Sequence, residues 1–444
     1  MLKTTTVRLS GRCLAFLLCL ILPFSLSFPL ISARTARGEE TAPAAQTAGE
    51  EAGGEEEGEG EAEDITASCA LTFSTKEQKK AAARVRDNRY DTAWTCTGKS
   101  AWVVARSAAP EEKPIGSIYL TFDRMPAQWA VQVPSGEAEG DWETVYTGDD
   151  RFIHVWVPLE VPAAAVRFLS LESKVKVTIP ELRVYAPGSF PQGAQSWLPT
   201  WDEADILFLS AHADDELIFF GGGIPTYDTE RGYRVVVAYL TGCGIRRNHE
   251  LLNGLWSMGV RHYPVIGPFP DRHKKSMTAE YQALGGQKKV VGWVTWLFRR
   301  YRPKVVVTHD TRGEYGHYQH RVTAAAALMA WDRAADPSRY PDSAGTCGTW
   351  QVQKLYLHLG KTNPITMDWD VPLPSLGGIT GLDAAIRAYT YHVSQQTTSM
   401  SVTKTGTRYS NRLFGLEKTM VGPDEAGGDF MEHIEPWGEE ESLP

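Results

Sequence analysis

The sequence predicts two folded domains: an all-β jelly-roll sandwich, followed by an α/β domain. In the second, a Rossmann-like, mostly parallel sheet has helices on both faces. Three observations predict this arrangement. The chain has 444 residues, too many for one ordinary core. Its hydrophobic pattern changes near residue 200 from short alternating runs to strands that alternate with helices. A segment rich in Pro and Gly, residues 188–203, separates the two patterns and predicts a linker.

Residues 1–33 have the pattern of an export signal. Lys3, Arg8 and Arg12 precede a long apolar run. The length of the run suits a cleaved signal peptide and a single N-terminal membrane anchor equally well. We therefore expect a secreted protein or one anchored on the extracellular face of a membrane, with the apolar segment as the tether.

Residues 34–66 predict a disordered acidic linker, because they are mostly Ala, Gly and Glu with little to bury. Residues 1–64 carry five basic and eleven acidic residues, so the rest of the chain has a net charge of only about −3. A nearly neutral folded part gives no basis for nucleic-acid binding.

Residues 67–187 are predicted to form the β-sandwich, because short apolar runs in this range are separated by turn residues. The runs are Ser117–Phe122, Trp129–Val133, Phe152–Val157, Val166–Leu171 and Val175–Ile179. The stretch Arg86–Trp94 resembles the D-x-x-x-x-T-x-W signature of discoidin-like, galactose-binding-type modules. That resemblance implies glycan binding by the sandwich, with a spacer that packs against the enzyme domain as the alternative.

Residues 204–432 form the predicted α/β domain, and residues 433–444 an acidic tail. The expected strands are Ile206–Ala211, Val235–Leu240, His262–Ile266 and Val305–Thr308. The expected helices are Glu216–Arg231, Asn248–Met258, Val290–Arg300, Gln319–Trp331 and Leu382–Gln395. In such sheets ligands bind beyond the carboxyl ends of the strands.

Six cysteines are spread along the chain, none with C-x-x-C spacing. Cys69 and Cys96 fall in the first domain, and Cys243 and Cys347 in the second. One disulfide in each domain and four free thiols are equally consistent with export.

The first chemical motif, Ala211–Glu216, directly follows the first predicted strand of the α/β domain. Asp214 and Asp215 stand beside His212, and two adjacent carboxylates are costly unless a positive charge lies among them. A divalent metal is the simplest such charge. One aspartate can then bind the metal while its neighbour faces a metal-bound water.

The second motif, Thr308–His320, follows another predicted strand and ends in His317 and His320. Histidines at i and i+3 share one face of a helix. Two histidines and one carboxylate, with an open position for water, make a catalytic zinc site.

Together the two motifs resemble the PIG-L/LmbE-like deacetylases, whose hallmarks are A-H-P-D-D-E and G-x-x-G-H-x-D-H. The resemblance covers residues 204–331. It implies that His212, Asp215 and His320 bind one zinc ion, with Fe²⁺ as another candidate metal. It also implies that Asp214 is the general base that takes a proton from the metal-bound water.

The resemblance assigns the remaining steps to neighbouring residues. His317 would be the acid that stabilises the oxyanion and protonates the leaving amine, and Tyr315 would assist it. Arg247 and Asp271 match positions that contact the sugar. His392, in a stretch similar to the family's A-x-x-x-H-x-S-Q, is the weakest correspondence.

Two positions depart from the family pattern. Ala213 replaces a proline, which loosens the turn. Gln319 replaces the aspartate between the two histidines, which is expected to lower the pKa of His317 and to weaken activity or shift its pH optimum. Asp310 is a candidate substitute for that carboxylate.

The predicted function is zinc-dependent removal of acetyl groups from N-acetylglucosamine-type sugars or glycoconjugates outside the cytoplasm. The alternative is a glycan-binding surface protein whose hydrolase domain is weak or inactive. A non-haem iron oxygenase is a third reading, because His212, Asp214 and a distant histidine can mimic its ligand set. The alternating strands and helices speak against that third reading.

Overall fold

The computed structural model describes residues 60–98, 100–136, 140–396, 400–403 and 408–438. The predicted export signal or anchor, residues 1–33, and most of the predicted acidic linker lie outside these residues. Among the described helices, none has both the length and the apolar character that crossing a membrane requires.

The first domain is all-β. Its strands are β1 (Ala70–Phe73), β2 (Trp94–Thr97), β3 (Trp102–Arg106), β4 (Ile115–Thr121), β5 (Trp129–Pro134), β6 (Trp142–Gly148), β7 (His154–Ala163), β8 (Ala165–Ser170), β9 (Lys176–Ile179) and β10 (Leu182–Tyr185). One short helix, α1 (Gln78–Arg84), follows β1. The strands pair antiparallel in three sheets, with orders β1-β3-β8-β5-β6, β10-β4-β7 and β2-β9.

Trp129 lies at the centre of the sandwich core with 1% of its surface exposed. Its ring covers Gly148 on the paired strand β6, where an added Cβ would lie 2.1 Å from the indole. Its Nε1 donates to the carbonyl of Asp149 at 2.8 Å. Only glycine at position 148 therefore allows this close packing.

The sandwich begins earlier than predicted. Ala62 and Ile65 are buried, with 6% and 2% exposure. The amide of Ile65 donates to the carbonyl of Val184 at 2.9 Å, and that of Ala62 to Ser189 at 3.2 Å. The end of the predicted linker 34–66 is therefore wrong, because its last residues pair with the closing strand of the sandwich.

The second domain contains strands and helices in alternation. Its strands are β11 (Ile206–Ser210), β12 (Val235–Gly242), β13 (Val265–Pro270), β14 (Val305–Thr308), β15 (Lys354–His358), β16 (Pro364–Thr366), β17 (Pro372–Leu373), β18 (Ile379–Thr380) and β19 (Leu413–Thr419). Its helices are α2 (Asp215–Ile218), α3 (Ile245–Ser257), α4 (Met277–Ala283), α5 (Gln287–Tyr301), α6 (Tyr318–Ala335), α7 (Pro341–Cys347) and α8 (Gly381–Tyr389).

Seven strands make one mixed sheet with the order β13-β12-β11-β14-β15-β19-β16. The first five are parallel, and β19 is antiparallel to both of its neighbours. Alternate residues of β11 enter different cores. Ile206 and Phe208 pack with α3 and α8, while Leu207 and Leu209 pack with α5 and α6. Helices therefore cover both faces of the sheet, which explains the continuous apolar runs of its strands.

The predicted helix Glu216–Arg231 is interrupted, because helical structure resumes only as a π-helix at Pro225–Glu230. Helix α2 ends at Ile218, and Gly221 has a φ of +58°, in the left-handed region that favours glycine. A Cβ on Gly222 would lie 2.7 Å from the backbone of Gly381, at the start of α8. The glycine run thus breaks the helix and lets α8 approach closely.

Several other predicted boundaries also differ. The predicted strand His262–Ile266 begins at Val265 and continues to Pro270. The predicted helix Leu382–Gln395 ends at Tyr389. Strands β15, β16 and β19 had no predicted counterpart.

The predicted acidic tail 433–444 begins too early. Ile434 is 8% exposed and belongs to the core. The amide of Trp437 donates to Asp205 at 2.6 Å, and its indole to the carbonyl of Ala204 at 3.1 Å. The folded domain thus continues through this segment.

All four cysteines of the described residues are free thiols. Of the two possibilities left open by the sequence, the structure contains the one without disulfides.

Candidate metal centre

Both predicted motifs lie at the carboxyl ends of two adjacent parallel strands. Strand β11 pairs with β14 through Leu209 and Thr308, the residue before His309. The turn that leaves β11 carries Asp214 at a φ of +110°, a strained conformation for a residue other than glycine. Its amide donates to the Glu216 carboxylate at 2.9 Å, which holds the turn in this conformation.

The predicted ligands His212, Asp215 and His320 converge. His212 Nδ1 lies 3.0 Å from Asp215 Oδ2 and 3.3 Å from His320 Nε2, and the last two atoms are 3.3 Å apart. Ligands bound tetrahedrally at about 2.0–2.1 Å lie about 3.3 Å from one another. The three atoms therefore form a triangle that fits a zinc-sized ion.

Hydrogen bonds orient both histidines of this triangle. His320 Nδ1 faces Glu314 Oε2 at 2.7 Å, and His212 Nε2 faces Gln319 Oε1 at 2.5 Å. Because both oxygens accept, these nitrogens carry the protons. The lone pairs of His320 Nε2 and His212 Nδ1 are left for a metal, and such outer partners typically orient metal-binding histidines.

Glu314 lies at this centre, although the sequence motifs predicted no role for it. It is 1% exposed and is bonded to three histidines: His320, His309 Nδ1 at 2.9 Å and His358 Nδ1 at 2.6 Å. Burial alone would raise the pKa of Glu314, but the hydrogen bonds that it accepts from His309, His320 and His358 lower it well below its usual range. An ionised Glu314 thus anchors the histidines beneath the ligand triangle.

His309 lies beside the triangle but is not available as a ligand. Its Nε2 is 3.5 Å from Asp215 Oδ2. The same nitrogen accepts a hydrogen bond from the Ala211 amide at 2.9 Å, while Nδ1 donates to Glu314. Both ring nitrogens are therefore occupied.

Asp214 faces a cavity of about 420 Å³ next to the triangle, whose walls also include His317 and Tyr315. Burial and the neighbouring Asp215 raise the pKa of Asp214 to about 7, against the opposing charge of Arg247. Its carboxylate is therefore poised to exchange a proton near neutral pH.

His317 precedes helix α6, and its ring lies 4.8 Å from that of His212 and 4.6 Å from that of His320. Its Nδ1 is buried and has no hydrogen-bond partner among the described residues. Burial, with the neighbouring His320 and His212, lowers the pKa of His317 to about 2. The ring is thus neutral in the free protein.

The predicted partnership between position 319 and His317 is wrong. Gln319 is fully buried and contacts His212 instead, and its amide nitrogen donates to the Pro270 carbonyl at 3.1 Å. Asp310 does not replace a carboxylate at His317 either, because its side chain accepts from the Arg312 amide. The glutamine at position 319 therefore changes the hydrogen-bond partner of His212, one of the three candidate metal ligands, and not that of His317.

The other predicted residues lie at the rim of the cavity. Tyr315 is 49% exposed, with its ring 5.6 Å from that of His317. Arg247 contacts Asp214 Oδ1 at 3.2 Å and Asp271 Oδ2 at 3.1 Å. Both Arg247 and Asp271 line the cavity. His392, in contrast, is buried against Gly254 of helix α3 and does not line it.

Residues 207–331 match the family model described as PIG-L: GlcNAc-PI de-N-acetylase. The chain carries a PIG-L family domain. The matched residues include both motifs of the ligand triangle, so the family predicted from these motifs is confirmed.

Curated relatives include two kinds of hydrolase. A 1D-myo-inositol 2-acetamido-2-deoxy-alpha-D-glucopyranoside deacetylase of Geodermatophilus obscurus is 28% identical over 34% of this chain and 60% of its own length. A mycothiol S-conjugate amidase of Streptomyces coelicolor is 35% identical over 19% of this chain and 28% of its own length. The chain thus spans 60% or less of these two PIG-L relatives.

Among solved structures, a module described as CpGH89CBM32-6 from Clostridium perfringens matches with a TM-score of 0.23 and 14% identity. It covers 28% of this chain and all of that chain. The conserved protein TT1542 from Thermus thermophilus matches with a TM-score of 0.32 and 18% identity, over 44% of this chain and 82% of its own.

Proposed function

We propose that this protein is a zinc-dependent amidohydrolase that removes the acetyl group from N-acetylglucosamine-type sugars or glycoconjugates. The observation that carries the proposal is the triangle of His212 Nδ1, Asp215 Oδ2 and His320 Nε2, with edges of 3.0, 3.3 and 3.3 Å. The PIG-L family match and the deacetylase relatives support the reaction type and the sugar.

A zinc ion held by His212, Asp215 and His320 would lower the pKa of a bound water towards about 7. A site with three protein ligands leaves the fourth position open for that water, which distinguishes catalytic from structural zinc sites. Fe²⁺ suits the same nitrogen and oxygen donors and is the alternative metal.

Asp214 is the proposed general base. It is adjacent to Asp215 in the chain but lines the cavity, and its pKa is raised by burial to about 7. A carboxyl group with that pKa can take a proton from water and then return it to the leaving amine. The Arg247 guanidinium, 3.2 Å from Asp214 Oδ1, opposes this rise in pKa and keeps a fraction of the Asp214 carboxyl groups ionised.

His317 and Tyr315 are the proposed stabilisers of the oxyanion. A neutral imidazole can polarise a carbonyl by donating a hydrogen bond, and burial keeps His317 neutral. Because a neutral His317 has no acidic proton to give, protonation of the leaving amine falls to Asp214, which holds the proton taken from the water. Exposed Tyr315 can reach the same oxygen from the mouth of the cavity.

Arg247 and Asp271 are the proposed sugar contacts. They form an ion pair of 3.1 Å on the cavity wall, and together offer donors and acceptors to sugar hydroxyls. The apolar N-terminal run supports action outside the cytoplasm, by a secreted or membrane-tethered protein.

A glycan-binding protein with weak hydrolase activity is the second candidate. The observation that favours it is Gln319 as the partner of His212. A neutral amide raises the basicity of a metal-binding histidine less than a carboxylate does.

The deciding experiment measures zinc content and acetate release from a panel of N-acetylated sugars. We expect His212→Ala, Asp215→Ala and His320→Ala to lose the metal. Asp214→Asn should keep it and lose about 10²–10⁴-fold in kcat. Asp202→Asn, at an exposed aspartate, is the matched control. Full activity in Asp214→Asn would show that the assigned base is wrong, and acetate release that survives complete metal removal would refute metal-dependent hydrolysis.

A further inference from the structure

A cleft of about 1060 Å³ lies between the sandwich and the PIG-L domain, larger than the cavity of about 420 Å³ at the metal centre. The sandwich contributes the segment that contains Arg89 and Tyr90, and Arg183 of β10. The PIG-L domain contributes helix α3 and the segment that follows α8, including Tyr391 and Val393. The cleft therefore exists only where both domains meet.

Charges of both signs line this cleft in equal number. Arginines at positions 86, 89, 183 and 246 face carboxylates at positions 64, 91, 181 and 250. Many are already paired: Arg246 lies 3.2 Å from Glu250, and Arg89 lies 2.8 Å from Asp91. A balanced lining favours neither a polyanion nor a polycation, but offers donors and acceptors to an uncharged ligand rich in hydroxyl groups.

Apolar surface is also exposed in the cleft. Tyr391 is 42% exposed and Val393 is 61% exposed. An exposed aromatic ring among polar groups presents a flat face against which a sugar ring can pack, while its hydroxyl stays hydrated. The combination suits a neutral glycan.

Helix α3 and the segment after α8 separate the cleft from the catalytic cavity. Arg246 and Glu250 face the cleft, whereas Arg247 faces the cavity. The Glu250 carboxylate accepts from Ser394 N at 2.9 Å and from Ser394 Oγ at 2.5 Å. The residues on either side of Ser394 line different spaces, Val393 the cleft and Gln395 the cavity. Residues 393–395 thus form part of a thin partition between the cleft and the cavity.

We propose that the cleft binds further sugar units of a neutral oligosaccharide whose N-acetylated unit occupies the cavity at the metal centre. The proposal rests on the deacetylase function and deepens it. The preferred substrate is an oligomeric or polymeric glycan of N-acetylated amino sugars, and the sandwich contributes to its recognition through the cleft that it lines together with the PIG-L domain.

The test compares the monomer and hexamer of N-acetylglucosamine, using the full chain loaded with zinc. Calorimetric binding to the Asp214→Asn variant is measured separately from acetate release by the active protein. We expect the hexamer to bind at least about tenfold more tightly than the monomer, and its binding to be insensitive to salt because the ligand is uncharged.

Tyr391 provides the variants for this test. Tyr391→Ala should weaken hexamer binding, and lower kcat/KM for the hexamer, by about tenfold, with kcat/KM for the monomer unchanged. Tyr391→Phe keeps the ring and should behave as the wild type. Val161→Ala, at a residue of the sandwich that is 76% exposed and outside the cleft, is the control for surface truncation.

Equal affinity for monomer and hexamer, or hexamer binding unaffected by Tyr391→Ala, would overturn the cleft proposal while leaving deacetylation of the monomer intact. Hexamer binding that depends on Tyr391, without acetate release from any sugar, would instead refute the deacetylase function and support the cleft as a glycan site.

Discussion

His154 of the sandwich and His249 of helix α3 meet across the domain junction, with 2.7 Å between His154 Nε2 and His249 Nδ1. The Tyr119 hydroxyl lies 2.6 Å from His154 Nδ1, and Asp123 Oδ1 lies 3.1 Å from His249 Nε2. Since the Asp123 carboxylate can only accept, each group in the chain donates to the next: Tyr119 to His154, His154 to His249, and His249 to Asp123. In this arrangement both imidazoles are neutral. Helix α3, which also carries Arg247, is thereby bonded to the sandwich.

This histidine pair predicts a loss of stability in acid. Burial lowers the pKa of both His154 and His249. In the unfolded chain they protonate near the ordinary value of about 6.5, so the free energy of unfolding should fall as pH drops below about 6.5. Between pH 7.5 and 5 we expect the double variant His154→Gln, His249→Gln to lose less stability than the wild type, by on the order of 2 kcal/mol.

Denaturant unfolding at the two pH values measures this difference. His433→Gln, at a histidine that is 43% exposed, is the control and should keep the wild-type dependence. Parallel pH dependences for wild type and double variant would rule out the pair as the source of acid sensitivity.

The general plan of the chain could be predicted from local patterns. The apolar runs of β11 and β14 are long enough to identify as strands, and polar motifs follow each of them directly. Parallel strands expose such motifs at one edge of a sheet, so convergence of His212 and His320 follows from the topology alone. The sequence could not reveal that the helix is interrupted at Gly221 and Gly222, because the break depends on the packing of Gly222 against the distant Gly381.

Glu314 escaped prediction because its partners come from separate strands and helices. His358 follows it by 44 residues and lies at the end of β15, a strand without a sequence prediction. Position 319 was misassigned for a different reason. His317 precedes helix α6 in an extended conformation, whereas Gln319 lies in the first turn of that helix, so the two side chains diverge and Gln319 contacts His212 instead.

Glu314 provides a prediction about metal affinity. Glu314→Gln removes the charge that His309, His320 and His358 share, and an amide cannot accept from all three through both of its terminal atoms. We expect zinc affinity to fall about 10–100-fold. Competition with a chromophoric chelator measures it, and Glu160→Gln, at an exposed position, is the matched control. Unchanged affinity would mean that Glu314 does not orient the metal-binding histidine.

Gln319 provides the opposite prediction. Gln319→Asp places a carboxylate near the Nε2–H of His212, which should make that histidine more basic and tighten zinc binding up to about tenfold. Gln319→Asn shortens the side chain equally without adding charge, so it isolates the effect of the carboxylate. If the two variants bind zinc equally, the lack of a negative charge at position 319 does not limit the zinc affinity of this site.

Arg247 provides a prediction about the pH dependence of catalysis. Burial and Asp215 raise the pKa of Asp214, while Arg247, 3.2 Å away, lowers it. Arg247→Met should therefore raise that pKa further, and the acid limb of the kcat/KM profile should move to higher pH because the base must be ionised. The loss of activity should be several-fold greater at pH 6 than at pH 8. Arg246→Met is the control on the same helix, since Arg246 pairs with Glu250 instead, and a monosaccharide substrate keeps the cleft out of the comparison. A uniform loss across the pH range would assign Arg247 to substrate binding and not to the tuning of Asp214.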